Sequence, residues 1–159
     1  MVSVTIEYVI LIPLLFSQVI VFPLVASTMA NSWQDSQRDV ALQEVANHLA
    51  SNIQQLYLTV NRDEIMPGNM IQTSTLPVTI ASYSYNANAT LSTPSNPGVA
   101  KILTVTLKLD ALDNTVTANA VLGYNVQWGD SIFRSNSANA SIYVYKSPDN
   151  LISFSFGAD

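Results

Sequence analysis

The chain has 159 residues, of which 48% are apolar and only 11% charged, with a net charge of −5 and a mean hydropathy of +0.25. Its six basic residues (Arg38, Arg62, Lys101, Lys108, Arg134 and Lys146) are scattered. They form no basic patch to neutralise phosphates, which argues against a nucleic-acid partner. Cysteine is absent, so a disulfide framework is excluded and stability has to come from packing, hydrogen bonding or assembly.

The apolar character is concentrated at the start. No Asp, Glu, Lys or Arg occurs between Glu7 and Asp35, and residues 8–33 read YVILIPLLFSQVIVFPLVASTMANSW. A membrane-spanning helix needs about 20 mostly apolar residues, so the run is long enough to cross a bilayer. Thr28-Met29-Ala30 has the small-residue look of a signal cleavage site. However, secretory signals carry a basic flank and an apolar stretch of only about 7–15 residues, and no basic residue precedes Arg38.

Two readings remain: a single-pass anchor, and a helix that leaves the membrane to pack against copies of itself. Pro13 and Pro23 lie inside the run. Each removes a backbone donor and frees a carbonyl, which is tolerated in apolar surroundings when neighbouring helices are close. Glu7 would be costly beside lipid unless paired. Gln18 is placed to hydrogen-bond a neighbouring helix, and Ala26, Ser27, Ala30 and Ser32 allow close helix approach.

The helical pattern continues past the run. Leu42, Val45, Leu49, Ile53, Leu56 and Val60 follow at spacings of 3, 4, 4, 3 and 4, an apolar stripe near the helical period. Ala41, Ala46 and Ala50 broaden it, and Asp39, Gln43, Glu44 and Asn47 lie largely off it. One helix is therefore expected over residues 1–62, apolar over 1–33 and amphipathic over 34–62. At 1.5 Å per residue it would be roughly 85 Å long. One small domain cannot cover that length, so the first half needs lipid or other subunits.

An apolar N-terminal helix with a Glu in its first two turns, an amphipathic second half and a C-terminal β-domain resembles a type IV pilin. The Cys-free head, rich in Ser, Thr and Asn, is most similar to archaeal members of that superfamily. The resemblance implies a structural subunit of an extracellular filament, a pilus, with a role in adhesion. It implies copies of the chain as partners in a helical polymer, and the membrane as host before assembly. It also implies that a peptidase removes a basic leader, making Met1 the first mature residue, and that Glu7 pairs with a neighbour's α-amino group. In the family the Glu is the fifth mature residue, whereas here it is the seventh. Met1, Glu7, Pro13, Gln18, Pro23, Ala26 and Ala30 are the expected assembly residues. The alternative is a membrane-anchored extracellular β-sandwich that binds a partner or serves a surface appendage.

The helix should end near residues 60–63, and residues 63–75, with the turn signals Met66-Pro67-Gly68-Asn69, are expected as a linker. From residue 76 the period changes to two. Leu76, Val78 and Ile80 alternate with Thr79 and Ala81, and Leu103, Val105, Leu107 and Leu109 with Thr104, Thr106 and Lys108. Alternation from Val116 runs through to Trp128, and Ile142, Val144, Ile152, Phe154 and Phe156 complete the set. Such alternation marks strands with one face buried. Turn clusters separate them, and about seven strands point to a β-sandwich of immunoglobulin-like proportions over residues 76–159. The expected fold class is α+β, a long N-terminal helix followed by this all-β head.

No catalytic or cofactor motif stands out. His48, the one histidine, sits on the helix and reads as solvated or structural. Asp110 and Asp113 share a turn, more simply a turn than a cation site. No glycine-rich phosphate loop, HExxH or EF-hand loop occurs, so the chain is not expected to be an enzyme or to hold a cofactor. Two sequons, Asn88-Ala89-Thr90 and Asn139-Ala140-Ser141, are candidate N-glycosylation sites, expected near strand edges or turns. Tyr83, Tyr85, Tyr143 and Tyr145 occupy alternating strand positions, a pattern that fits cross-strand packing or surface contacts.

Overall fold

In the computed structural model, residues 2–73, 75–96 and 98–157 are described, with side chains from residue 9 onward. The fold is α+β: one N-terminal helix, α1 (Val2–Val60), then eight strands in two four-stranded sheets. The chain divides into two compact units, Met1–Gln37 and Arg38–Asp159. The boundary falls within α1.

The first unit is helix alone. Pro13 and Pro23 both lie inside it, so the carbonyls of Val9 and Val19, four residues earlier, lose their usual donors. Thr28 hides its hydroxyl by donating to the Val25 carbonyl at 2.8 Å.

The second unit begins with the amphipathic half of α1. Leu42, Ala46, Leu49, Ile53 and Val60 are fully buried there, in one core with the inner faces of both sheets. The first sheet contains β1 (Gly68–Thr73), β7 (Ser141–Lys146), β8 (Ile152–Phe156) and β5 (Val126–Trp128), in that order. The second contains β4 (Thr115–Leu122), β3 (Lys101–Leu109), β2 (Tyr85–Leu91) and β6 (Ile132–Arg134), in that order. All pairs are antiparallel except β5 with β8, which run parallel. An aromatic chain joins the sheets. Trp128 meets Phe156 edge-on at 4.9 Å, Phe156 meets Phe133 at 5.6 Å, and Phe133 stacks on Tyr85 at 6.4 Å.

Polar contacts fix α1 alongside β4. Asn114 Nδ2 donates to Asp39 at 2.7 Å and Gln43 Nε2 to the Thr117 carbonyl at 3.0 Å. Because β4 is an edge strand, Gln43 satisfies an acceptor the ladder leaves open. Further along, Tyr57 donates to Asn125 Oδ1 at 3.3 Å, and Asn125 Nδ2 donates to Asn61 Oδ1 and to the Asn150 carbonyl. Gly123 lies so close that a Cβ there would overlap the Tyr57 hydroxyl.

The strands differ from the alternation in three places. Residues 68–73, expected as linker, form β1, paired along its whole length with β7. The turn signals at Pro67 and Gly68 mark the strand's start rather than a long hinge. Residues 76–84 carry an alternating pattern but form only one isolated bridge, Ile80 with Tyr83. Its tight turn holds Ala81 and Ser82 at positive φ. The expected run from Val116 to Trp128 is broken at residues 123–125, so that β4 and β5 belong to different sheets. Alternation is the same on either side of a break, so period alone cannot reveal a change of sheet.

Candidate functional site

The feature that sets this chain apart is the surface of α1 from Val9 to Trp33. Fifteen large apolar side chains there are exposed, each by 49% or more. Ile10, Leu11 and Ile12 are consecutive and all exposed. Successive residues turn by about 100° on a helix, so the apolar surface wraps all round rather than lining one stripe. A helix apolar all round belongs in a protein core or a membrane. Burying side chains of this size is worth about 1.5–3 kcal/mol each. The total driving force is on the order of tens of kcal/mol, too large to leave in water. Val9–Val60 is long and apolar enough by composition to cross a membrane, which is consistent with membrane anchoring or polymerisation.

The expected assembly residues fall as follows. Pro13, Gln18, Pro23, Ala26 and Ala30 are helical and exposed in this unit. Met1 and the side chain of Glu7 lie outside the described residues. Gln18 has an exposed amide in an otherwise apolar surround. Ala26 and Ala30, one helical turn apart, leave a shallow place where a second helix can approach closely.

The two sequons are both exposed but sit differently. Asn139 is in the turn before β7, where the Ser141 hydroxyl donates to its carbonyl at 2.9 Å. Asn88 was expected near an edge or turn. It lies instead mid-strand in β2, between Thr106 of β3 and Ile132 of β6, with Oδ1 accepting the Ala89 N–H at 2.8 Å.

His48 is exposed, with Nδ1 at 3.5 Å from the Asn52 amide. Asp110 accepts from the Ser84 hydroxyl and the Asn86 amide. Asp113 faces Lys108 at 3.5 Å in solvent. Among the described residues, no three His, Asp or Glu side chains gather as metal ligands.

The tyrosines divide. Tyr85 is fully buried and donates to the Pro77 carbonyl at 2.7 Å; burial pushes its phenol up to about 12. Tyr83 carries the Arg38 guanidinium 5.6 Å above its ring. Tyr143 and Tyr145 point outward from β7, 39% and 46% exposed. They flank a concavity of about 460 Å³ on the outer face of the first sheet, which includes Asn69 and Ile71 from the segment read as linker. The available signal was the outward Ser-x-Ser of β8 beside the outward Tyr-x-Tyr of β7. Pairing of those strands was needed to bring them together.

No family model, curated protein or solved structure matches this chain. Its functional reading therefore rests on its own residues.

Proposed function

We propose that this chain is the structural subunit of an extracellular, pilus-like filament that polymerises through the apolar half of α1 and serves adhesion. The observation that carries the reading is the combination within one helix. Residues 9–33 are apolar on every side and exposed, while residues from Leu42 to Val60 carry an apolar stripe already buried in the chain's own core. The second half thus ties a folded β-unit to the first half, whose surface asks for an apolar host. In lipid that host is the membrane; in a filament it is the same segment of neighbouring copies. Moving from lipid to protein gains little apolar burial, so close packing at Ala26 and Ala30 and hydrogen bonding by Gln18 decide the balance. Glu7 is proposed to pair with a neighbour's α-amino group and set register. Asn88 and Asn139 are proposed as glycan acceptors on an outward surface.

The second reading, a single-pass anchor holding a β-domain outside the cell, shares the same apolar surface. Electron microscopy of surface material from cells producing the chain separates the two. Filaments whose repeating unit is this chain support the proposal. A protein that stays a detergent-soluble monomer and never polymerises supports the anchor instead. Intact-mass spectrometry of the same material tests Asn88 and Asn139, with the unmodified mass removing the glycan assignment.

A further inference from the structure

The outer faces of the two sheets differ in how their polar side chains are used. On the second sheet the amides are bonded locally: Thr104 donates to Asn119 at 2.9 Å, Asn86 donates to Asp110, and Asn88 accepts from Ala89, leaving only the short side chains of Thr90, Thr106 and Thr117 without such a bond among the described residues. On the first sheet the register lines up two rows. One runs Asn69, Tyr145, Ser153, Gln127 across all four strands, and the next runs Ile71, Tyr143, Ser155. Among the described residues, the side chains of Asn69, Tyr143, Tyr145, Ser153, Ser155 and Gln127 form no hydrogen bond within the protein.

The rows give the face its relief. Tyr143 and Tyr145 stand as a wall along β7, their attachment points about 7 Å apart at strand rise. Ser153 and Ser155 beside them on β8 are short and form a floor. Gln127 rises on the far side. Gly129 leaves the end open, since a Cβ there would lie 3.3 Å from Ser155 Cβ. The result is the groove of about 460 Å³, within the range of about 300–1,000 Å³ usual for small-ligand sites.

We propose that this groove binds a neutral oligosaccharide. The argument is chemical. No Asp, Glu, Lys, Arg or His lines it, so it offers no partner to a charged ligand, and the chain's net charge of −5 disfavours anions. Half-exposed tyrosine rings present an electron-rich face to the apolar C–H face of a pyranose. Serine hydroxyls and the Asn69 and Gln127 amides both donate and accept, matching sugar hydroxyls that do the same. The two rows repeat the Tyr–Ser pairing, so two adjacent sugar units are accommodated. A second copy of the chain fits less well. A stable protein partner needs about 800 Å² of each surface, and Ile71 is the one exposed aliphatic side chain lining this groove. The groove lies wholly on the first sheet, so the proposal does not depend on polymerisation.

The test uses the full-length chain in a detergent without a sugar headgroup. Calorimetric titration with neutral mono-, di- and tetrasaccharides of glucose, mannose and N-acetylglucosamine is run beside sialylated and sulfated oligosaccharides. At least one neutral series is expected to bind, the tetrasaccharide more tightly than the monosaccharide. Tyr143→Ala and Tyr145→Ala should each weaken it about tenfold, the loss of one aromatic contact. Ser155→Val, which fills the floor and suits a strand, should abolish binding without lowering the unfolding midpoint. Thr104→Ala on the other sheet should change nothing. The proposal is overturned if no neutral sugar binds at millimolar concentration, if charged glycans bind as well as neutral ones, or if the tyrosine variants bind unchanged. A concentration-dependent dimer that disappears in Ile71→Asp would overturn it in favour of a second copy. None of these outcomes bears on whether the chain forms filaments.

Discussion

The two halves of α1 are the same secondary structure under opposite rules. From Leu42 onward, an apolar stripe recurs every three or four positions and is buried apart from the partly buried Leu56, while Glu44, Asn47, His48, Ser51 and Leu58 off it are exposed. From Val9 to Trp33, apolar residues occupy every side and all the large ones are exposed. The first pattern is completed within the chain. The second is completed only by something the chain does not contain. A helix's need for a host is thus written in whether its apolar residues are striped or continuous.

The largest expected effect separates the halves by function. Leu15→Glu or Ile20→Asp places a charge on the apolar surface, at a cost of about 3 kcal/mol per charge at a bilayer centre. Each should disrupt filaments, as read by electron microscopy, whereas membrane retention on fractionation should be weakened rather than lost, since about 3 kcal/mol is small beside the tens that drive burial of the run. The unfolding midpoint of the detergent-solubilised chain should stay unchanged. Filaments that persist with both substitutions would remove the apolar surface from assembly.

Next comes one substitution made in both halves. Leu49 is fully buried, so Leu49→Ala should cost about 2–5 kcal/mol in denaturant unfolding, from lost transfer energy plus the cavity left behind. Leu24 is 63% exposed, so Leu24→Ala should stay within about 0.5 kcal/mol in the solubilised monomer. Equal losses at both positions would mean that residues 9–33 already have a partner within the chain.

The helix was legible because periodicity reports burial directly, and the change of period after it signalled a β-unit, although the first strand starts at Gly68 rather than near residue 76. Strand order was not legible. β1 was hidden because Pro67 and Gly68 look like a loop. β5 was hidden because the alternation passes unbroken through Gly123, Tyr124 and Asn125. The break coincides with a long-range contact, Tyr57 against Gly123 and Asn125, which no local pattern encodes. The groove is a product of register. Its tyrosines and serines are close in sequence, but Asn69 and Gln127 join them only through strand pairing.

That contact supplies a sharper test of how the packed half is held. Gly123→Ala drives a methyl into the Tyr57 hydroxyl and should cost about 1–3 kcal/mol by overpacking. Tyr57→Phe removes the hydroxyl and its bond to Asn125, costing about 0.5–1.5 kcal/mol alone. In the double variant the hydroxyl overlap is gone although the ring carbon would still lie 2.7 Å from the new methyl, so the clash is eased and the two losses should fall short of additive. Simple additivity would show that the Gly123 backbone, not the tyrosine, yields.

Alkaline pH probes the same core through Tyr85. Its phenol is raised from 10 to about 12 by burial, so the folded state holds its proton more tightly than the unfolded chain. The resulting stabilisation is fully present below pH 10 and is lost as pH rises from there through about 12. Denaturant midpoints should fall across that window, and Tyr85→Phe should flatten the fall. A Phe variant with the same slope would assign the alkaline loss to other groups.

The smallest effect concerns the place where the packed half begins. Arg38, the first residue of the second unit, lies over Tyr83, and Tyr83 is held by the two-residue turn that pairs it with Ile80 through hydrogen bonds of 2.8 and 2.9 Å. Both central residues sit at positive φ, Ala81 at 48° and Ser82 at 72°, where hairpin turns of this kind usually use Asn and Gly. A residue with a Cβ loses about 1–2 kcal/mol there, whereas glycine gives back roughly 0.5–1 kcal/mol as extra unfolded-state freedom. Ser82→Gly should therefore stabilise the second unit by about 0.5 kcal/mol in denaturant unfolding, with no change in membrane retention. Destabilisation by that substitution would show that the Ser82 side chain, rather than the turn's backbone, holds Tyr83 beneath Arg38.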